Sequence, residues 1–515
     1  MSNKFSESIN NGYSCQGDFI VLGGGMLNGE SVAGVHVKIP LKMLNRHGLI
    51  AGATGTGKTK TLQGLVEALS RKGVPCLMMD IKGDLSGLGA PGETNAKIDE
   101  RHVKIGAPWE ATGYPVEFLT ISDEKGIQLR ATVTEFGPVL FSKILELNDT
   151  QSGVVSLVFK YCDDNHLPLV DLKDFKKVLL YLTNEGKSAI EKEYGRISSA
   201  STSTIIRKVI ELEQQQADKF FGEISFDPSD LMRIDDKGRG YLNIIRLTDI
   251  QDKPKLFATF MLSLLAEIYA SFPEEGDVDQ PKLAIFIDEA HLIFSEASDA
   301  LLAQMETIIK LIRSKGVGVF FCTQQPTDVP ESVLAQLGLK IQHSLRAFTA
   351  KDRKNIKTVA ENYPLSDFYN TKDLLTQLGI GEALVTALNE KGIPTPLVHT
   401  LLCAPQSRMD ILTPAEIDIL ISRSPLVRKY NQEVDEESAF ELLTRKLEDA
   451  TATSETTGKN KSAGKEKETT VIGDVVDSTV GRQVMRTVAR ELTRGLLGAL
   501  GLSGTSRRKS SKGWF

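Results

Sequence analysis

Residues 48–59, Gly48-Leu49-Ile50-Ala51-Gly52-Ala53-Thr54-Gly55-Thr56-Gly57-Lys58-Thr59, decide the fold. A short apolar run enters a glycine-rich loop, and a segment with Leu62, Leu65, Val66 and Leu69 on one helical face leaves it. The loop satisfies GxxxxGK[ST] between a predicted strand and a predicted helix, the context a phosphate-binding loop requires. Glycines let the backbone wrap a polyphosphate with its N–H groups turned inward, and the helix N-terminus adds a favourable dipole. Gly52, Ala53, Thr54, Gly55, Thr56, Gly57, Lys58 and Thr59 are therefore the predicted nucleotide-binding residues. Lys58 is expected on the β- and γ-phosphates and Thr59 on a magnesium ion.

Outward from the loop, Val74-Pro75-Cys76-Leu77-Met78-Met79-Asp80 reads as the next strand, closed by the turn Ile81-Lys82-Gly83-Asp84. Further on, Leu283-Ala284-Ile285-Phe286-Ile287 is an apolar strand that ends in Asp288-Glu289-Ala290-His291. A carboxylate at the carboxyl end of a buried strand beside a phosphate loop suits magnesium coordination through water, which assigns Asp288. Glu289 is then set to orient and deprotonate an attacking water, so hydrolysis is expected rather than transfer to a bound acceptor. The strand Val317–Thr323 runs into Gln324, the expected γ-phosphate sensor. Arg313 before this strand and Arg346 after it are candidates for an arginine supplied across a subunit interface.

Strands alternating with helices predict an α/β fold, a mostly parallel sheet covered on both faces. A short strand-rich lead-in (1–45) precedes the core, whose first part covers 46–139 and second part 236–430. A mainly helical subdomain is expected as an insertion over 140–235. Two strands around the Asn389-Glu390-Lys391-Gly392 turn close the core as a hairpin that caps one sheet edge. Residues 431–470 read as a charged helix and then a polar disordered linker from 447. Over 471–515, Val476, Val480, Val484, Val488, Leu492, Leu496 and Leu500 recur every four residues. Arg482, Arg486, Arg490 and Arg494 lie two positions out of step, which predicts a basic amphipathic tail helix.

The 515 residues are 41% apolar and 25% charged, which excludes a disordered polyelectrolyte and a membrane bundle for the whole chain. No apolar run reaches the ~18–20 residues of a membrane span and the polar start lacks an export signal, so a cytoplasmic protein is expected. The net charge is −6; residues 471–515 carry +5 and the remainder −11, so the core offers no overall positive field to nucleic acid. Cys15, Cys76, Cys162, Cys322 and Cys403 are too scattered for a disulfide framework or a zinc site.

Taken together, GATGTGKT, MMDIKGD, LAIFIDEAH, RSKGVGVFFCTQQP and the terminal GEALV hairpin resemble the HerA/FtsK superfamily of P-loop ATPases. The resemblance is greatest to its YjgR-like branch with a HerA-like C-terminal domain. It implies a RecA-like core with an additional strand between the phosphate-loop strand and the acidic strand. It also implies ATP and Mg2+ as ligands, a homo-oligomeric, hexameric ring, and ATP-driven movement of DNA or another polymer. By position, it carries nucleotide and metal roles to Lys58, Thr59 and Asp288, catalysis to Glu289, sensing to Gln324, and finger roles to Arg313 and Arg346. The alternative reading is an ATPase whose nucleotide controls assembly, acting on a protein partner or an anionic membrane surface through the tail helix.

Overall fold

The computed structural model describes residues 2–457 apart from 252, 277, 297–298 and 433–436, so the tail helix expected over 471–515 lies outside the described residues. The chain divides into two compact units, residues 1–436 and 437–515. In the second, the helix Ala439–Thr457 runs ten residues past position 447, where the polar composition suggested a linker. No helix among the described residues is long and apolar enough to cross a membrane.

The first unit is built on one twelve-stranded sheet. The hairpin β1 (Phe19–Leu27) and β2 (Glu30–Pro40) comes first, then β3 (Gly48–Ala51), β4 (Cys76–Asp80), β5 (Val116–Thr120) and β6 (Ile127–Gln128). After a helical insertion follow β7 (Leu242–Arg246), β8 (Leu283–Ile287), β9 (Val317–Thr323), β10 (Leu339–Gln342), β11 (Glu382–Thr386) and β12 (Val398–Leu402). Their spatial order is β2-β1-β12-β11-β10-β3-β9-β8-β4-β7-β5-β6. Every pairing from β10 to β6 is parallel, as the strand–helix alternation predicts. The central parallel strands β8 and β9 are buried at every position, as strands covered on both faces are, with Phe286 and Phe320 stacked 4.7 Å apart.

The terminal hairpin does not cap an edge. β11 and β12 lie inside the sheet, β1 adds to β12, and β2 forms the border. The glycine run of β1 permits this: a Cβ at Gly23 would come 2.1 Å from the Leu401 carbonyl oxygen, so only glycine lets the two backbones meet. The lead-in also opens with a helix, Ser2–Gly12, that buries Phe5 and Ile9 completely. Between β6 and β7, helices beginning at Val133 bury their own aromatic cluster, including Phe136, Phe141, Phe159 and Phe175.

Candidate functional site

Because β3, β4, β8, β9 and β10 are parallel, their carboxyl ends come out together, and the predicted chemistry gathers there. Ala51 at the end of β3 faces Thr323 at the end of β9, and Gly52 N–H donates to the Thr323 carbonyl at 3.2 Å. The loop then turns into the helix Lys58–Arg71 through Gly55 and Gly57, both at positive φ. Gly52 also has to be glycine for lack of space, since a Cβ there would lie 2.4 Å from that of His343. The Lys58 side chain, 7% exposed, folds back onto its own loop and donates to the Gly52 and Ala53 carbonyls at 2.7 and 3.3 Å. Burial, and then the nearby Lys82 ammonium, lower its pKa, against the pull of Glu289 and Asp288.

Asp288 and Glu289 extend from β8 and are 5% and 6% exposed. Burial pushes the Asp288 carboxyl up to about 6, against the opposing effect of Lys82 and with a further upward push from Glu289. Glu289 adopts φ +46°, rare for a residue with a side chain. Its Oε2 lies 3.1 Å from His291 Nδ1, but the two are not aligned as a hydrogen bond and neither has another partner among the described residues. Glu289 Oε1 pairs with Lys82, whose Nζ is also 3.9 Å from Asp288 Oδ2. Desolvation works against the Lys82 ammonium, yet the two acids hold its pKa above the ordinary range.

The turn that carries Lys82 is fixed by Asp80, whose carboxylate accepts from the N–H groups of Gly83, Asp84 and Leu85 at 2.8, 3.1 and 3.1 Å. Burial is the main reason its own pKa rises to about 7. Under the phosphate loop, His343 follows β10; its N–H donates to the Ala51 carbonyl at 2.7 Å and its Nε2 lies 2.9 Å from Thr61 Oγ1. Burial, then Lys58, hold this imidazole neutral, with its pKa lowered to about 4.

Among the predicted residues, the loop, Asp288 and Glu289 meet at this sheet end, and Gln324 directly follows Thr323 with an exposed side chain. Arg346 is exposed and its Nη2 donates to the Thr54 carbonyl at 3.0 Å, so it sits on the phosphate loop of its own chain. Arg313 stands apart, before the amino end of β9, whose seven residues at ~3.3 Å each put it roughly 20 Å from this end of the sheet. Lys82 and His343 escaped the sequence reading. Lys82 looked like part of a turn, and no spacing signal could reveal that β4 lies next to β8. His343 follows a four-residue strand with alternating polar positions.

The donors around this site are oxygens: the Thr59 hydroxyl, the Asp288 carboxylate, and the buried Glu289 Oε2 and Asp84 Oδ1, which lack hydrogen-bond partners among the described residues. These hard oxygens fit magnesium, which takes one or two carboxylates and completes its shell with water and phosphate; the His291 Nδ1 nitrogen also lies beside them, 3.1 Å from Glu289 Oε2.

A parallel sheet with a phosphate loop after one strand, an acidic pair after the second strand over, and a further strand between them defines a RecA-like P-loop domain. The chain belongs to the family described as helicase HerA-like C-terminal, whose model matches residues 26–508. It is 23% identical over 368 residues to the DNA double-strand break repair helicase HerA of Sulfolobus acidocaldarius, covering 70% of this chain and 66% of that protein. It is 24% identical over 378 residues to a probable helicase of Methanocaldococcus jannaschii, covering 71% and 65%. The chain thus spans just under two thirds of the length of these curated relatives. Among solved structures, the bacterial conjugative coupling protein TrwB, in an unbound form, matches with a TM-score of 0.50 and 14% identity over 79% of this chain and 94% of that one, a likeness of fold.

Proposed function

We propose that the protein is a magnesium-dependent ATPase of the HerA type that assembles as a ring and couples hydrolysis to movement along DNA. The observation that carries the reading is the convergence of the phosphate loop with Asp288 and Glu289 at the carboxyl ends of the parallel strands β3 and β8, with β9 between them. Lys58 leaves its loop carbonyls to meet the β- and γ-phosphates, and the loop N–H groups cradle them. Thr59 and Asp288 would hold magnesium, which supplies neutralisation of phosphate charge. Glu289 takes the proton of the attacking water, a contribution of about 10²- to 10⁴-fold to the rate. Gln324 reads the γ-phosphate from the end of β9. Arg313, at the far end of that strand, serves a neighbouring subunit's nucleotide, whereas Arg346 steadies the loop of its own chain.

The choice of DNA as the polymer rests on what the curated relatives are named for. Titrating steady-state ATP hydrolysis with single- and double-stranded DNA and RNA tests it: a severalfold rise with DNA supports the motor. The acidic balance of −11 outside residues 471–515 favours a second reading, nucleotide-controlled assembly on a protein or membrane partner. That reading gains if turnover is indifferent to every nucleic acid while sedimentation shows assembly that depends on nucleotide.

A further inference from the structure

We infer that Lys82 is the positioning residue for the hydrolytic carboxylate Glu289, a role that rests on the ATPase reading above. A general base needs one oxygen anchored and the other open to the water it deprotonates. Glu289 has that division: Oε1 is paired with the Lys82 ammonium, and Oε2, buried with His291 Nδ1 3.1 Å away, makes no aligned hydrogen bond among the described residues. Lys58 does not supply this cation, because its ammonium is bonded to the Gly52 and Ala53 carbonyls.

The anchoring is built from the strand order. β4 and β8 are parallel neighbours with Met79 beside Ile287, so the residues just past Asp80 meet those just past Ile287. Asp80 spends its carboxylate on three consecutive N–H groups, which fixes the turn and aims Lys82 across to β8. The Lys82 side chain remains 41% exposed, whereas those of Asp288 and Glu289 are 7% and 8% exposed, so the ammonium enters the site from the solvent side, where a phosphate would also arrive. Lys82 therefore acts on hydrolysis through Glu289, and its removal affects the chemical step more than nucleotide binding.

The test uses the full chain with Lys82→Ala, Lys82→Met and Lys82→Arg, read by steady-state ATP hydrolysis, by titration with a fluorescent ATP analogue and by thermal melting. The expected result is a kcat about 10- to 100-fold lower in the Ala and Met variants, a smaller loss than that of the base itself. Analogue affinity should stay within about threefold of wild type, and Arg should restore most of kcat because it keeps the charge. An unchanged or raised kcat in Lys82→Ala overturns the inference, as does an affinity loss equal to the kcat loss or a failure of Arg to rescue in a variant that melts like wild type. Absence of Glu289-dependent hydrolysis in the wild-type protein overturns the ATPase reading itself, and this role with it.

Discussion

At the amino end of β3, His47 is 2% exposed and both ring nitrogens are used: Nε2 lies 2.8 Å from the Ile309 carbonyl and Nδ1 accepts from Val319 N–H at 3.0 Å. At the opposite end of the sheet, His343 is fully buried and uses only Nε2, on Thr61, while Nδ1 has no hydrogen-bond partner among the described residues. Burial lowers both pKa values to about 4, with Arg313 adding to the effect at His47 and Lys58 at His343. The same contrast extends to their neighbours. Glu289 Oε2, His291 Nδ1 and Asp84 Oδ1 are also unpartnered at the carboxyl end, against Asn45 Oδ1 and Asn243 Oδ1 toward the amino end. Buried polar groups are normally satisfied. A sheet end that concentrates unsatisfied ones holds its hydrogen-bonding capacity for a ligand, and the other end spends its capacity on the fold.

Five substitutions and one titration sharpen or break this contrast. Lys58→Ala should have the largest effect, lowering nucleotide affinity by about 100-fold or more by isothermal titration while leaving the melting temperature close to wild type, because Nζ bonds only two loop carbonyls. His343→Ala and His47→Ala should each cost about 2–4 kcal/mol in denaturant unfolding through lost burial and hydrogen bonds. Only His343→Ala should also raise KM for ATP, since it alone supports the loop. An equal rise in KM for His47→Ala breaks the contrast.

Acidification should destabilise the protein through both histidines. Their folded pKa values lie below the unfolded value of 6.5, so the unfolded chain takes up protons first. The stabilisation is complete above pH 6.5 and falls by roughly 1.4 kcal/mol per pH unit per histidine until about pH 4. Asp80 and Asp288, raised to about 7 and about 6, act in the opposite direction over the same range, so the histidine effect is read as the difference between wild type and His47→Gln in the pH dependence of denaturant midpoints, about 1.4 kcal/mol per pH unit. The smallest effect belongs to Arg346→Ala, a loss of about 1 kcal/mol in nucleotide binding. Mixed with wild-type subunits, it should reduce turnover only in proportion to its fraction. A larger loss would mean that Arg346 acts across the interface.

The part of this arrangement carried by local pattern was legible in the sequence. The phosphate loop, β4, β8 and β9 announce themselves by apolar runs that end in glycine or carboxylate, and the helix after the loop by its one-sided leucines. What depends on strand order was not. Gly23-Gly24-Gly25 reads as a break, yet it lies within β1, where β1 approaches β12. The helix Ser2–Gly12 offers only Phe5 and Ile9 as a stripe within a polar segment. β5 contains Glu117, buried because Arg233 pairs with it from far along the chain. Lys82 and His343 gain their meaning from neighbours about 207 and 282 positions away, Glu289 and Thr61, which no local period encodes.

The most direct test compares ATP turnover and ATP affinity in the wild-type protein and Glu289→Gln, with magnesium present. The account predicts magnesium-dependent hydrolysis that falls by about 100-fold or more in the variant, while ATP affinity stays within severalfold. A variant that hydrolyses ATP at the wild-type rate would contradict the assignment of chemistry to the carboxyl end of the sheet.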